Sequence, residues 1–317
     1  MKAHAKAVAY PGLPIVFAEG FRDSKLRIST HDHASIAVTD IHHNAKTETS
    51  AELTEKEAAF SLNGAAPSEG RALAAVEIIK DMLPLAAERT GASVQSVNHD
   101  ILTGSSDSGA AALVTAIDDL LELGLPMTRL IELAKPVSET AYRSLIGGLS
   151  SCEVDAKGNI KARQLKDASF FGDLMIYAIP FPELKRFPAD NLHLMVTRHK
   201  DHPKRSKQVA ERLKSLQGFV DGNDLLGFMK IAEAEARTVH TMFSEMGMDV
   251  IKPQMEEAIN LVLGMRERKI PAYWTVAGGS AVYVLTLHRY AREVTRELKD
   301  NNLKYRHYIV ADGAHPI

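Results

Sequence analysis

The stretch ILTGSSDSGAAAL, residues 101–113, constrains this 317-residue chain more than any other. A β-branched, apolar entry (Ile101, Leu102, Thr103) runs into a Gly-Ser-Ser turn and then into an alanine-rich segment of helical composition. Gly104 can take backbone angles closed to other residues and lets a bulky ligand approach the chain. Ser105, Ser106 and Ser108 then fall on the first helical turn, where unpaired N–H groups and the helix dipole attract anions. No lysine follows the glycines, so this is not a Walker loop, and it is not a GxGxxG turn either. Serine hydroxyls can add hydrogen bonds to phosphate or ligate Mg²⁺. Asp107 is the odd member, because a carboxylate facing a triphosphate repels it unless it holds the magnesium or acts on a substrate hydroxyl. A Ser/Asp-capped helix packed closely through its alanines accounts for the same residues equally well.

Composition narrows the classes. Apolar residues make up 45% and charged residues 25%, as in soluble globular proteins, and the formal charge of -2 gives no global pull toward nucleic acid or membrane. The basic run RHKDHPKRSKQ (198–208) reads as a solvated loop and helix start. Cys152 is the single cysteine, which excludes an intrachain disulfide and a Cys-based zinc site. His31 and His33 fall on one side of a strand near His42 and His43, but no Cys or carboxylate at a companion spacing completes a zinc set. A polar strand face lining a cleft is the expectation for them. MKAHAKAVAYPG lacks a signal-peptide core, and no apolar run approaches the ~20 residues needed to cross a bilayer. A soluble, cytoplasmic protein is expected.

Short strands separated by turn residues are predicted at 15–21, 26–30, 34–41, 46–53 and 58–64, then a helix at about 69–90 and a strand at 92–102. Helical patterns follow at 108–124, 128–134 and 138–148, with Ser138 as N-cap, and a strand at 174–181. Helices near 204–217, 223–247, 253–268 and 288–300 alternate with strands 272–277, 281–287 and 305–311. A strand-rich first part and an alternating second part predict a two-lobed α+β protein, divided in the proline-rich IPFPELKRFPADN segment into residues 1–185 and 186–317.

Two further stretches bear on function. VAGGSAVYVL (276–285) is a Gly-Gly-Ser turn between strands, open to close backbone approach or simply a hairpin. SETAYRSLIGG (138–148) places Glu139 and Arg143 at i and i+4, either a surface ion pair or an acid and a guanidinium suited to a small carboxylate-bearing alcohol. Trp274, beside the Gly-Gly-Ser turn, is expected in the core.

Three glycine segments in this order resemble the GHMP kinases, and within them the mevalonate diphosphate decarboxylase branch. RSLIGG (143–148) is similar to that branch's arginine helix and AYPGLPIVFAEGFRD (9–23) to its N-terminal strand pair. The Gly-Ser-Ser-Asp order at 104–107 and the Ser-Glu before Arg143 are similar to the archaeal, Thermoplasma-type mevalonate 3-kinases of that branch. The resemblance implies a two-lobed fold with an N-terminal ribosomal-protein-like βαβ domain and a C-terminal ferredoxin-like α/β domain. It implies an ATP- and Mg²⁺-dependent kinase of mevalonate or a close relative, often a homodimer. Gly104, Ser105, Ser106, Ser108 and Gly109 would cradle the ATP phosphates, with Asn98 on the nucleotide side. Ser105 would contact the transferring phosphate, and Ser106 and Asp107 would serve magnesium. Arg143 would grip the substrate carboxylate, Glu139 would sit at its hydroxyls, and Arg186 would line its site.

The departures matter as well. Phe17 stands where the decarboxylases carry a substrate-facing lysine, so a diphosphate tail on the substrate is not expected. Ala277 replaces the aspartate associated with decarboxylation, and the threonine of the 3-kinases. Alanine can neither take a proton nor orient a hydroxyl. Phosphorylation of mevalonate at the 3-hydroxyl is therefore the expected activity. Decarboxylation of a phosphorylated mevalonate, or metabolite binding by a fold that has lost its chemistry, are the alternatives.

Overall fold

The computed structural model describes residues 1–55, 57–66, 71–86, 91–279 and 281–317. The strands fall mainly into two sheets. The five-stranded sheet runs in the order His315–Pro316, His4–Ala9, Lys46–Thr54, Gly91–His99, Ala59–Leu62. Along Lys46–Thr54 alternate residues Thr47, Thr49 and Ala51 point inward, the period expected of a strand with one covered face. The covering element is the helix Ser105–Leu121, whose Ala110, Ala111 and Ala112 are wholly buried. Their small side chains let this helix lie close to the sheet and to helices Arg71–Met82 and Met127–Ala134.

The eight-stranded sheet runs Ile160–Lys166, Leu149–Val154, His33–Asp40, Arg306–Val310, Leu174–Pro180, Ala281–Leu287, Ala272–Thr275, and Gly12–Val16 also pairs with His33–Asp40. It is covered on both faces. Ile176 and Ala178 enter one core, while Tyr177 and Ile179 of the same strand enter another. Helix Leu225–Glu245 supplies residues to both cores: Phe228 and Met229 to the first, Val239 and Phe243 to the second. Burial on both faces removes the polar-apolar alternation, and every residue of His33–Asp40 is buried.

The expected α+β class with two sheets and flanking helices is what the chain forms. Strands on both sides of residue 185 share the larger sheet, since Leu174–Pro180 pairs with Ala281–Leu287 and Arg306–Val310. The chain end returns to the smaller sheet, where Pro316 and His315 pair with Ala7 and Val8.

The strand expected at 15–21 is broken. Gly12–Val16 ends before Phe17, and a separate hairpin pairs Phe21–Asp23 with Ile28–Ser29, because Gly20 turns the chain with φ 87°. Strands His4–Ala9 and Ile160–Lys166 and helix Ala189–Val196 were not anticipated. The helix expected at 69–90 is observed as Arg71–Met82 followed by a 3-10 turn Leu83–Ala86, and the rest of that span lies outside the described residues. No helix among the described residues is long and apolar enough to cross a membrane.

Candidate active site

Gly12, Gly104 and the Gly278-Gly279 turn meet at one cleft of about 260 Å³, whereas Gly147 and Gly148 pack against Asp312, Gly313, Lys166 and Asp167 away from it. Gly104, at φ 73°, is the left-handed residue that starts the helix Ser105–Leu121. A Cβ there would stand 2.7 Å from the Gly12 carbonyl oxygen, and one on Gly279 would stand 2.8 Å from that of Leu102. A Cβ on Gly12 would overlap Cδ and Nε of Arg143. The absence of side chains therefore lets three backbone segments close around a common space.

At the helix start, the N–H groups of Asp107 and Ser108 bond the Gly104 carbonyl at 3.1 and 3.2 Å. The N–H groups of Ser105 and Ser106 have no intrachain acceptor among the described residues and open toward the cleft mouth, beside exposed Ser105 and half-buried Ser106. This is an anion-binding arrangement.

Asp107 is buried and accepts three hydrogen bonds. Its Oδ1 accepts from Ser138 Oγ at 2.6 Å and from Thr140 Oγ1 at 2.7 Å, and its Oδ2 accepts from Arg143 Nε at 2.8 Å. Asp107, expected at magnesium or a substrate hydroxyl, lines the cleft and holds the arginine through Oδ2. Ser138, expected as a helix N-cap, spends its hydroxyl on Asp107, and the short helix Tyr142–Ile146 begins beyond it.

Arg143 also donates from Nη1 to Ser35 Oγ at 3.0 Å and from Nη2 to Thr140 Oγ1 at 2.6 Å. A guanidinium has five N–H donors. Three are used here, which leaves one on each terminal nitrogen, the pair that a carboxylate can engage.

Glu139 and Arg143 do not pair with each other through these contacts. Glu139 Oε2 accepts from Arg27 Nε at 2.8 Å and Nη2 at 2.6 Å, and its Oε1 lies 3.5 Å from His193 Nε2. Arg27 turns its other edge to Asp190, at 3.0 and 3.3 Å. The acid and the guanidinium thus face one cleft from separate anchors.

Behind Phe17 lies a buried ionic network. Arg205 Nε donates to Glu19 Oε1 at 2.5 Å and its Nη2 to Glu235 Oε1 at 2.5 Å, and Arg212 also donates to Glu235. Glu235 accepts the Phe17 backbone N–H at 3.1 Å, so the network fixes the strand end that lines the cleft. His31 Nε2 lies 3.3 Å from Glu19 Oε1. Burial alone would raise the Glu19 carboxyl, but His31 and Arg205 hold it at about 2. His33 packs edge-on against Tyr142, and burial, with His31 and Arg143 nearby, lowers it to about 3. His31 and His33 sit behind the cleft and do not line it, because they serve this network and the Tyr142 contact. His42 and His43 are exposed beyond the end of strand His33–Asp40, and Trp274 is buried in the second core of the larger sheet.

Of the residues singled out from sequence, Phe17, Gly104, Ser105, Ser106, Asp107, Glu139, Arg143, Arg186 and Ala277 line the cleft. Asn98, Ser108 and Gly109 do not. Thr47 Oγ1 lies 2.7 Å from both Asn98 Oδ1 and Ser108 Oγ, so Ser108 ties the helix start to the sheet while Asn98 joins Thr47 across neighbouring strands. Sequence reading missed Arg27, His193 and Thr140. Arg27 reaches Glu139 across 112 residues, and no spacing rule connects such positions.

A diphosphomevalonate decarboxylase-like N-terminal domain model matches residues 9–162, and a mevalonate-3-kinase C-terminal domain model matches residues 187–292. The chain is 29% identical to the mevalonate-3-kinase of Picrophilus torridus, over 89% of this chain and 88% of the relative. It is 28% identical to the mevalonate 3-kinase of Thermoplasma acidophilum, over 88% and 86% respectively. The crystal structure of the Thermoplasma acidophilum enzyme with mevalonate 3-phosphate and ADP bound superposes with a TM-score of 0.90 at 25% identity, covering 100% of this chain and 99% of that one. The matches run in the same order along most of the chain, so its first part is similar to the diphosphomevalonate decarboxylase-like N-terminal domain and its second to the mevalonate-3-kinase C-terminal domain.

Proposed function

We propose that this protein transfers the γ-phosphate of ATP to the 3-hydroxyl of mevalonate. The observation that carries this reading is the Asp107–Arg143 contact, which places a guanidinium with two unused N–H donors beside the anion-binding start of the helix Ser105–Leu121. Arg143 takes the substrate carboxylate. Glu139 orients the hydroxyl, and Arg186 and Phe17 close the substrate side. The backbone N–H groups of Ser105 and Ser106 receive the ATP phosphates, and Ser105 contacts the transferring group. The hydroxyl oxygen forms the new bond to the γ-phosphorus as the bond to the bridging oxygen breaks, ADP leaves, and the hydroxyl proton passes toward Glu139. Alignment and charge stabilisation supply most of the acceleration in such transfers.

Magnesium fits in a limited way. Ser106 and Asp107, neighbours at the helix start and both lining the cleft, would hold the ion. Bound magnesium supplies neutralisation of phosphate charge. In this reading the enzyme is cytoplasmic and works as a homodimer, which sedimentation would test.

The deciding experiment incubates the protein with ATP and mevalonate and locates the new phosphate by ³¹P and ¹³C NMR. A tertiary phosphate ester at C3 is expected. Phosphate on the primary hydroxyl, or no turnover with mevalonate or its 5-phosphate, overturns the reading. Release of CO₂ from mevalonate 3,5-bisphosphate without ATP would favour decarboxylation instead. Ala277, which has no polar side-chain atom to offer the cleft, argues against that outcome.

A further inference from the structure

We infer that Arg27 is a positioning residue for Glu139, fixing which carboxylate oxygen is presented to the substrate. The inference rests on the kinase reading for where the substrate hydroxyl lies. Arg27 places two N–H groups on the same oxygen, Oε2, at 2.8 and 2.6 Å, and so sets the carboxylate's rotation. The remaining oxygen, Oε1, is turned to the side of His193, whose ring lines the cleft.

The grip is built from elements distant in sequence. Arg27 sits in the hairpin that pairs Phe21–Asp23 with Ile28–Ser29, at φ 50°, a left-handed conformation that L residues adopt only at a cost. Its guanidinium lies 5.0 Å from the Phe21 ring, which stacks on His193 at 4.6 Å. Its far edge bonds Asp190 at the start of helix Ala189–Val196, which follows the Arg186 segment. The Arg27 side chain is 9% exposed and that of Glu139 is 5% exposed, so water screens the pair little. A planar fork holds two carboxylates in a fixed geometry, whereas an ammonium is a rotatable point charge that fixes neither.

Charged and titratable groups near Glu139 include Arg27, His193, His33 on strand His33–Asp40, Arg143 four residues on, and Asp190 across Arg27. Arg27 is the cation in direct double contact. Removing it raises the Glu139 titration midpoint, which reports the pairing, whereas a purely structural staple would lower stability and leave kcat alone.

The test uses full-length protein with ¹³Cδ-labelled glutamate, the Glu139 resonance being assigned by its loss in Glu139→Gln. In Arg27→Gln the midpoint should rise by about 1 pH unit or more. In the same variant kcat for mevalonate phosphorylation should fall roughly 100-fold while the KM for ATP stays within about 2-fold. Arg27→Lys should recover about 10-fold of the lost kcat. Arg27→Gln combined with Glu139→Gln should be no slower than Glu139→Gln alone. A wild-type kcat with an unmoved midpoint overturns the proposal. So does a kcat loss that Arg27→Lys does not rescue and that adds to the effect of Glu139→Gln. If Arg27→Gln fails to fold, the midpoint and kcat of Arg27→Lys decide by the same criteria, with intermediate shifts expected. If the wild-type protein does not phosphorylate mevalonate, the functional reading fails and the Arg27 proposal with it, whereas normal wild-type turnover with an unaffected Arg27→Gln sinks the Arg27 proposal alone.

Discussion

Asp107 Oδ2 and Arg143 Nε meet at 2.8 Å across 36 residues of sequence, joining the phosphate-loop helix to the arginine that faces the same cleft. A carboxylate beside a phosphate site would ordinarily repel the ligand. Paired with the guanidinium and two hydroxyls, its charge is spent inside the protein.

Removing one partner of a buried charged pair leaves the other uncompensated. Asp107→Ala is expected to lower stability by about 3 kcal/mol, the lower end of that effect because Arg143 retains some solvent contact. The KM for mevalonate should rise more than the KM for ATP. Urea denaturation and steady-state kinetics check both, and an effect confined to ATP would contradict the anchor role.

Gly12→Ala drives a methyl group into the stem of Arg143, which three hydrogen bonds prevent from swinging aside. The overpacking costs about 1–3 kcal/mol. A roughly 10-fold or greater rise in the KM for mevalonate is expected from displacement of the guanidinium. Gly104→Ala adds backbone strain at φ 73° to a clash with Gly12 and should weaken ATP binding, measurable by calorimetry.

Glu139→Gln keeps the shape of the side chain and removes its charge. A fall of about 10²–10³ in kcat is expected in rapid-quench turnover of mevalonate and ATP, with the fold intact by circular dichroism. A change in KM alone would place Glu139 in binding and not in the transfer step.

The Glu19–His31 contact makes stability depend on pH in a defined window. Glu19 titrates at about 2 instead of 4.5, so its contribution is full above 4.5 and is lost as pH falls toward 2. His31 is raised above 6.5 by Glu19, against the opposing effect of burial, so its contribution is full below 6.5 and is lost as pH rises through the raised value. A double-mutant cycle of Glu19→Gln and His31→Gln should show its largest coupling, about 2 kcal/mol, near pH 5.5. The coupling should shrink at about pH 2 and at the alkaline end, above the raised His31 midpoint. Equal coupling at all three would rule the pair out as the source.

Local chemistry made much of this protein readable. Gly104 and the serines after it announce a left-handed helix start with unpaired N–H groups, because the conformational freedom of glycine and the geometry of a helix terminus are properties of a few adjacent residues. The helices at 205–221, 225–245 and 253–267 were visible for the same reason, through apolar spacing within each segment. Other features arise only when distant segments meet. Gly12 looks like an ordinary turn residue until Arg143 lies against it, and Arg27 carries no signal until Glu139 arrives. Asp107 shows the division most clearly. The sequence by itself determined that a carboxylate stands in the phosphate loop. That its charge is paired with Arg143 follows from the fold, because ion pairing depends on separation in space and not along the chain.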